Sequence, residues 1–238
     1  MVREEAPPER TAPRTRHQPG GLRILHEDRD ILVVDKAPGL LTVGTETQRE
    51  QTAYYRLTNY VRKGNAKSPQ RVFIVHRLDR EVSGLLVFAK SNAAKLVLQS
   101  QWESAEKRYA AVVHGIFSEK EGTLSSYLIE NSAHVVHATN DRKNGKLSHT
   151  GYRVLKESRD HSLLEVTLLT GRKHQIRVHL ADAGHPIVGD KKYGGRSRGG
   201  QRMALHAMYL AFNHPYSGKR VVFETPVPGY FERLMGVG

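Results

Sequence analysis

Bulky apolar positions are nearly absent before Leu22 and then recur at short intervals along the rest of the chain. Residues 1–20 are rich in Pro, Arg, Glu and Thr. Such a segment cannot bury enough surface to offset its ordering entropy, so a disordered tail is expected there and one folded domain over 21–238. Arg23 to Asp28 and Ile31 to Lys36 predict two strands around a polar turn, the second ended by Pro38-Gly39. Ala53, Leu57, Tyr60 and Val61 carry helical spacing over 52–61. Val72 to His76 and Leu85 to Ala89 read as strands around the polar loop Arg77 to Gly84. Asn92 to Ser104 predicts a helix with Asn92 as its cap. Strands are expected at 109–115, 135–138, 152–155, 163–169, 208–212 and 220–224. A helix over Ile176 to Ala183 stops at Gly184, with Pro186 just beyond. Strands outnumber helices and do not alternate with them as a doubly wound fold requires. The pattern predicts an α+β fold with a mixed, mostly antiparallel central sheet and flanking helices, without internal repeats.

Charge narrows the list of partners. The 238 residues carry a formal net charge of +13. An excess of that size creates a field that attracts polyanions, and nucleic acid is the commonest of these for a chain with 38% hydrophobic residues. No apolar run approaches the roughly 20 residues that span a bilayer, and the N-terminus shows no apolar core of a secretory signal. There are no cysteines. Disulfides, thiol catalysis and thiolate metal sites are thereby excluded, and a cytoplasmic location is expected.

Three segments hold candidate chemistry. In His76-Arg77-Leu78-Asp79-Arg80-Glu81-Val82-Ser83-Gly84, a strand delivers a polar loop with Asp79 between two arginines. Adjacent cations favour a charged carboxylate, suited to act as nucleophile or base. On local features alone, a surface aspartate paired with arginine in a turn is the more economical reading. In Thr170-Gly171-Arg172-Lys173-His174-Gln175-Ile176-Arg177, a strand, a glycine turn and a helix start follow one another, a geometry that can bind a polyanion. Lys173 and Arg177 are expected to share a helical face. A solvated basic helix fits equally well. The third segment, Gly189 to Arg202, is basic and glycine-rich, and could mould around phosphates or be a plain surface loop. Of the thirteen histidines, His134/His137 and His174/His179 are close in sequence, yet neither pair forms a His-Glu-x-x-His helix. No metal and no cofactor is expected, and no nucleotide-phosphate loop is present.

Taken together, these residues resemble a known family. His76-Arg77-Leu78-Asp79 with Ser83-Gly84-Leu85-Leu86-Val87-Phe88-Ala89-Lys90 is similar to the signature around the catalytic aspartate of the RluA-like family of RNA pseudouridine synthases. Gly171 to His179, Gly184 to Gly194, Leu205-His206-Ala207 and Phe212-Asn213-His214-Pro215 continue that pattern in order, over about 22–231. Two departures stand out. Val82 replaces the usual Thr, removing a hydroxyl contact. Lys36-Ala37-Pro38-Gly39 slides the usual Lys-Pro-x-Gly proline by one position.

The resemblance implies the pseudouridine synthase fold and action on ribosomal or transfer RNA stem-loops. In a further departure, the N-terminus is too short for the separate RNA-binding domain of many relatives, so a stand-alone catalytic domain is expected, with a monomer as the default. The resemblance also implies Asp79 as the catalytic carboxylate, attacking C1′ or removing the C2′ proton. Arg177 would pair with it, Tyr109 would stack on the target base, and Leu205 would wall the uracil pocket. The base must leave its stack to react, and Arg77 would enter the vacated place. Lys173, Lys191, Lys192, Arg196 and Arg198 would hold the RNA backbone. Two other readings compete: an RNA-binding module without catalysis, and an RNA-directed hydrolase using Glu81 as a second carboxylate. Against the hydrolase, a residue two positions from Asp79 points away from it in an extended loop.

Overall fold

The computed structural model describes residues 18–44, 46–194 and 201–236. The expected disordered tail, except its last residues, therefore lies outside the described residues, as do Arg196 and Arg198.

Among the described residues, eleven strands form one sheet: β1 (Leu22–Glu27), β2 (Ile31–Lys36), β3 (Phe73–Ile74), β4 (Ser83–Ala89), β5 (Glu106–His114), β6 (Glu121–Glu130), β7 (Val136–Thr139), β8 (Lys146–Glu157), β9 (His161–Leu168), β10 (Leu205–Asn213) and β11 (Arg220–Glu224). The strand order is β1-β2-β4-β10-β5-β9-β8-β6-β7, with β11 added to β10 and β3 to β4. Among the described residues β4 and β10 are the one parallel pair; the other pairings are antiparallel. This is the α+β, mostly antiparallel architecture the hydropathy pattern predicts.

Helices α1 (Ala53–Val61), α3 (Gln175–Asp182) and α4 (Gly229–Leu234) bury apolar residues on one face of the sheet, with Leu57, Ile176, Leu180 and Phe231 packed among Leu32, Val34, Leu86 and Val112. Helix α2 (Asn92–Ser100) covers the other face, where Ala94 and Leu98 meet Ile31, Val33, Leu85, Val87 and Phe212. Apolar residues two apart on β2 thus serve opposite cores, as the strand period requires.

Several local expectations are corrected. The cap of α2 is Ser91, whose hydroxyl accepts the Ala94 N–H at 3.0 Å, not Asn92. That helix stops at Ser100, and a separate 3₁₀ turn spans Trp102–Ser104. Strand β6 and helix α4 carry no clear apolar period, and β8 runs well beyond the expected 152–155. In β6 most side chains face solvent or are half-buried, so backbone pairing rather than a buried stripe holds it in place. Gly84 deserves its place: at φ +111° its Cα lies so close to Ala207 that a Cβ would overlap the Ala207 backbone. Only glycine permits this approach of β10 to β4.

Candidate active site

Asp79 sits on the loop between β3 and β4, and buried polar groups fix that loop from below. Lys36, fully buried at the end of β2, donates its ammonium to the carbonyls of Ala37, Leu40 and Arg80 at 3.0, 2.9 and 3.2 Å. Burial pushes this amine down to about 8, against the opposing pull of the Glu81, Asp79 and Asp35 charges. The sliding of the proline leaves a turn that still grips the loop, since the Gly39 N–H donates to Arg80 O at 2.8 Å. On the other side, the Thr42 hydroxyl donates to Leu78 O at 2.8 Å. At the loop's start, His76 Nε2 accepts the Val87 N–H at 3.1 Å while its ring stacks on Trp102. Burial drives His76 down to about 3, so the ring is neutral and free to accept. Val82 is buried in the core, in one cluster with Leu78 and Tyr109.

Across the loop, Arg177 of α3 donates Nη1–H to Asp79 Oδ2 at 2.8 Å. Its Nε and Nη2 donate to Asp190 Oδ2 and Oδ1 at 2.7 and 2.9 Å, a bidentate pair. The Arg177 side chain is 9% exposed and that of Asp190 1%, whereas Asp79 is 29% exposed. Burial opposes the charge on Arg177, but hydrogen bonds and charge from Asp190 and Asp79 overcome it and raise its pKa. The same pairing holds Asp190 below the usual carboxylate range despite its burial. Among the described residues, Asp79 Oδ1 carries no hydrogen bond, so one oxygen is anchored and the other is open. His174 Nε2 lies 3.6 Å from Asp79 Oδ2.

Tyr109 of β5 pairs with Ala207 of β10, which pairs in turn with Gly84 of β4. Leu205 pairs with Ala111 two residues along. Tyr109 and Leu205 are therefore diagonal neighbours in one buried cluster with Leu78 and Val82 of the loop. Burial, and secondarily the charge of Asp79, push the Tyr109 phenol up. Asp79, Arg177, Tyr109 and Leu205, dispersed over 127 positions of sequence (79 to 205), thus meet around the central strands β4, β10 and β5.

The expected backbone contacts fare differently. Arg77 is exposed beside Asp79. Lys173 does not share a helical face with Arg177: α3 begins at Gln175, so Lys173 precedes it, and its ammonium is taken by Glu130. Lys191 is exposed, and the Lys192 ammonium donates to His134 O at 2.9 Å. Glu81 is exposed, 3.8 Å from Arg80, and offers no second buried carboxylate. Asp190, His174 and Tyr193 escaped the reading of the chain. The signal available was an acid in a turn bracketed by Gly189 and Gly194, whose lysines drew attention instead.

Comparison with known proteins agrees with this architecture. The family model for RNA pseudouridylate synthase matches residues 30–182. An uncharacterized RNA pseudouridine synthase of Bacillus subtilis is 38% identical over 217 residues, covering 89% of this chain and 71% of its own length. The ribosomal large subunit pseudouridine synthase D of Pseudomonas aeruginosa is 37% identical over 237 residues, covering 91% and 71%. Among solved structures, human RNA pseudouridylate synthase domain containing 1 superimposes with a TM-score of 0.75 at 29% identity, over 94% of this chain and 90% of that one. The chain belongs to the RNA pseudouridylate synthase family, in its RluA-like branch, whose members are isomerases acting on RNA.

Proposed function

We propose that this enzyme isomerises a uridine of ribosomal RNA to pseudouridine, with Asp79 as its catalytic carboxylate. The observation that carries the reading is the asymmetry of that carboxylate: Oδ2 is held by Arg177, while Oδ1 faces no protein partner among the described residues. A fixed carboxylate with one free oxygen can attack C1′ or take the C2′ proton. In either route the N1–C1′ bond breaks, uracil turns, and C5 bonds to C1′. The C5 hydrogen leaves as a proton and N1 gains one, so the product is an isomer and no external group is added.

Tyr109 stacks on the base in this reading. Its burial and the nearby negative charge keep the phenol protonated at neutral pH, which suits hydrogen donation more than proton removal. If Asp79 forms an ester with C1′ its charge vanishes, one of the two causes that raise the phenol is gone, and removal of the C5 proton becomes easier. The target base leaves its stack at a cost of about a few kcal/mol, and exposed Arg77 offers a planar cation to fill the gap. Ribosomal RNA is favoured over transfer RNA by the Pseudomonas aeruginosa relative, a ribosomal large subunit synthase.

The test is carbodiimide-based pseudouridine mapping of total RNA from cells with and without this gene. A ribosomal site lost on deletion, restored by the wild-type copy and not by Asp79→Asn, is the expected result. A site lost only from transfer RNA overturns the substrate, and restoration by Asp79→Asn overturns the catalytic assignment.

A further inference from the structure

We propose that Tyr193 and His174 are positioning residues for the catalytic carboxylate, Tyr193 fixing the tautomer and direction of His174 so that its Nε2–H faces Asp79. The inference rests on the reading of Asp79 as the catalytic group and adds to it a device that sets which oxygen of Asp79 stays open.

The argument begins with proton counting. The phenol oxygen of Tyr193 accepts the Val136 N–H at 3.1 Å. It has one hydrogen of its own, and among the described residues the acceptor bonded to it is His174 Nδ1 at 2.8 Å. Nδ1 therefore uses its lone pair, and in the neutral ring the hydrogen sits on Nε2. That nitrogen lies 3.6 Å from Asp79 Oδ2, the same oxygen that Arg177 holds. The separation is longer than a hydrogen bond, as is common before substrate tightens a site. Burial keeps His174 neutral, with the Arg177, Lys192 and Lys173 cations acting in the same sense against the pull of Asp79.

The backbone is shaped to this end. His174 is left-handed, at φ 55° and ψ 13°, immediately before α3, and makes no capping bond with its side chain. A non-glycine residue in that region carries strain that a helix start does not require. Here it turns the imidazole away from the helix toward Tyr193 and Asp79, with the two rings edge to face at 5.6 Å. Tyr193 is itself set by the turn that holds Arg177: its N–H donates to Asp190 Oδ1 at 3.1 Å, and its ring lies under the Arg177 guanidinium at 5.0 Å. One turn, 189–194, thus governs both neighbours of Asp79. The lysines of this turn, Lys191 and Lys192, face outward, while Asp190 and Tyr193 on either side of them turn inward and support the carboxylate.

The experiment uses the full chain in large excess over total RNA from cells lacking the gene, labelled with [5-³H]uridine. Tritium released from C5 reports the isomerisation, and varying enzyme separates the maximal single-turnover rate from the half-saturating concentration. Tyr193→Phe and His174→Asn, the latter keeping a residue that tolerates the left-handed backbone, are expected to lower the maximal rate roughly 10- to 100-fold with half-saturation unchanged. Because Tyr193 acts through His174, the double variant is expected to be no slower than His174→Asn alone. Wild-type rates in either single variant, or single losses that multiply in the double, overturn the inference. If Tyr193→Phe fails to fold, as circular dichroism will show, a wild-type rate in His174→Asn still overturns it. Asp79→Asn run in parallel separates the two layers: activity there sinks the catalytic reading itself, whereas an inactive Asp79→Asn beside fully active Tyr193→Phe and His174→Asn sinks only this proposal.

Discussion

Replacing Arg177 by methionine should cost about 4 kcal/mol of stability, and the structure says where the loss arises. Methionine fills a similar volume but leaves two carboxylates without their cation. Asp79 is exposed enough for water to take over, so its share is at most about 1 kcal/mol. Asp190 has no such recourse. At 1% exposure it would keep, among the described residues, only the backbone N–H donors of Lys192 and Tyr193, at 2.9 and 3.1 Å. Removing one partner of a buried pair typically costs about 3–5 kcal/mol. Asp190→Asn alone should cost about 2–3 kcal/mol, the worth of hydrogen bonds to a charged group. In the double variant no charge is stranded, so its loss should fall short of the sum by about 2–3 kcal/mol. Urea unfolding followed by circular dichroism and by Trp102 fluorescence measures all three. The pH dependence adds a sign. In the wild type Asp190 is held low, so its contribution is present above the ordinary carboxylate pKa and lost as pH falls below it. In Arg177→Met the stranded Asp190 shifts upward instead, so part of the lost stability returns as pH drops from neutral toward 4. A cost under about 1 kcal/mol, or strict additivity, would refute the assignment of Asp190 as the buried anchor.

Other consequences are equally measurable. Gly84→Ala should lose at least about 3 kcal/mol, combining a positive-φ penalty with the overlap on Ala207, and a midpoint in urea like that of the wild type would contradict this. His179 hydrogen-bonds Thr150 and Ser126, and burial, helped by the charge of His149, holds it down to about 4 from 6.5. Its contribution is complete above pH 6.5 and declines by about 3 kcal/mol as pH falls to 4. In His179→Gln the unfolding free energy should lose that slope. Tyr109→Phe should retain stacking yet slow tritium release if the phenol serves proton transfer; an unchanged rate would leave the ring as its whole contribution.

How far the chain could be read depended on whether a feature showed itself through apolar periodicity. Strand β11 was expected at 220–224 and lies there, and β2 and β4 are marked by unbroken apolar runs because both of their faces are buried. Strand β6 was missed because Ser125, Ser126 and Thr123 give it no buried stripe. For the site, Asp79 and Arg177 were legible only as parts of long segments similar to a known family. Lys173 was misplaced because a basic spacing of four looks like a helix face even where the helix has not begun. Asp190 and Tyr193 were invisible for a different reason: charge is read directly from residue types, but burial is not, and the lysines between them carried the more obvious sign.

The position of β10 has a bearing on how the protein is made. It is inserted between β4 and β5, which among the described residues share no backbone pairing with each other. Until residue 213 has left the ribosome, the nascent chain holds two separate half-sheets: β1, β2 and β4 with Asp79 on one, and β5 to β9 with Tyr109 on the other. Such long-range closure makes folding slow and leaves strand edges open meanwhile. Asp79 and Tyr109 lie on different half-sheets, and β10 is the strand that joins them into one site.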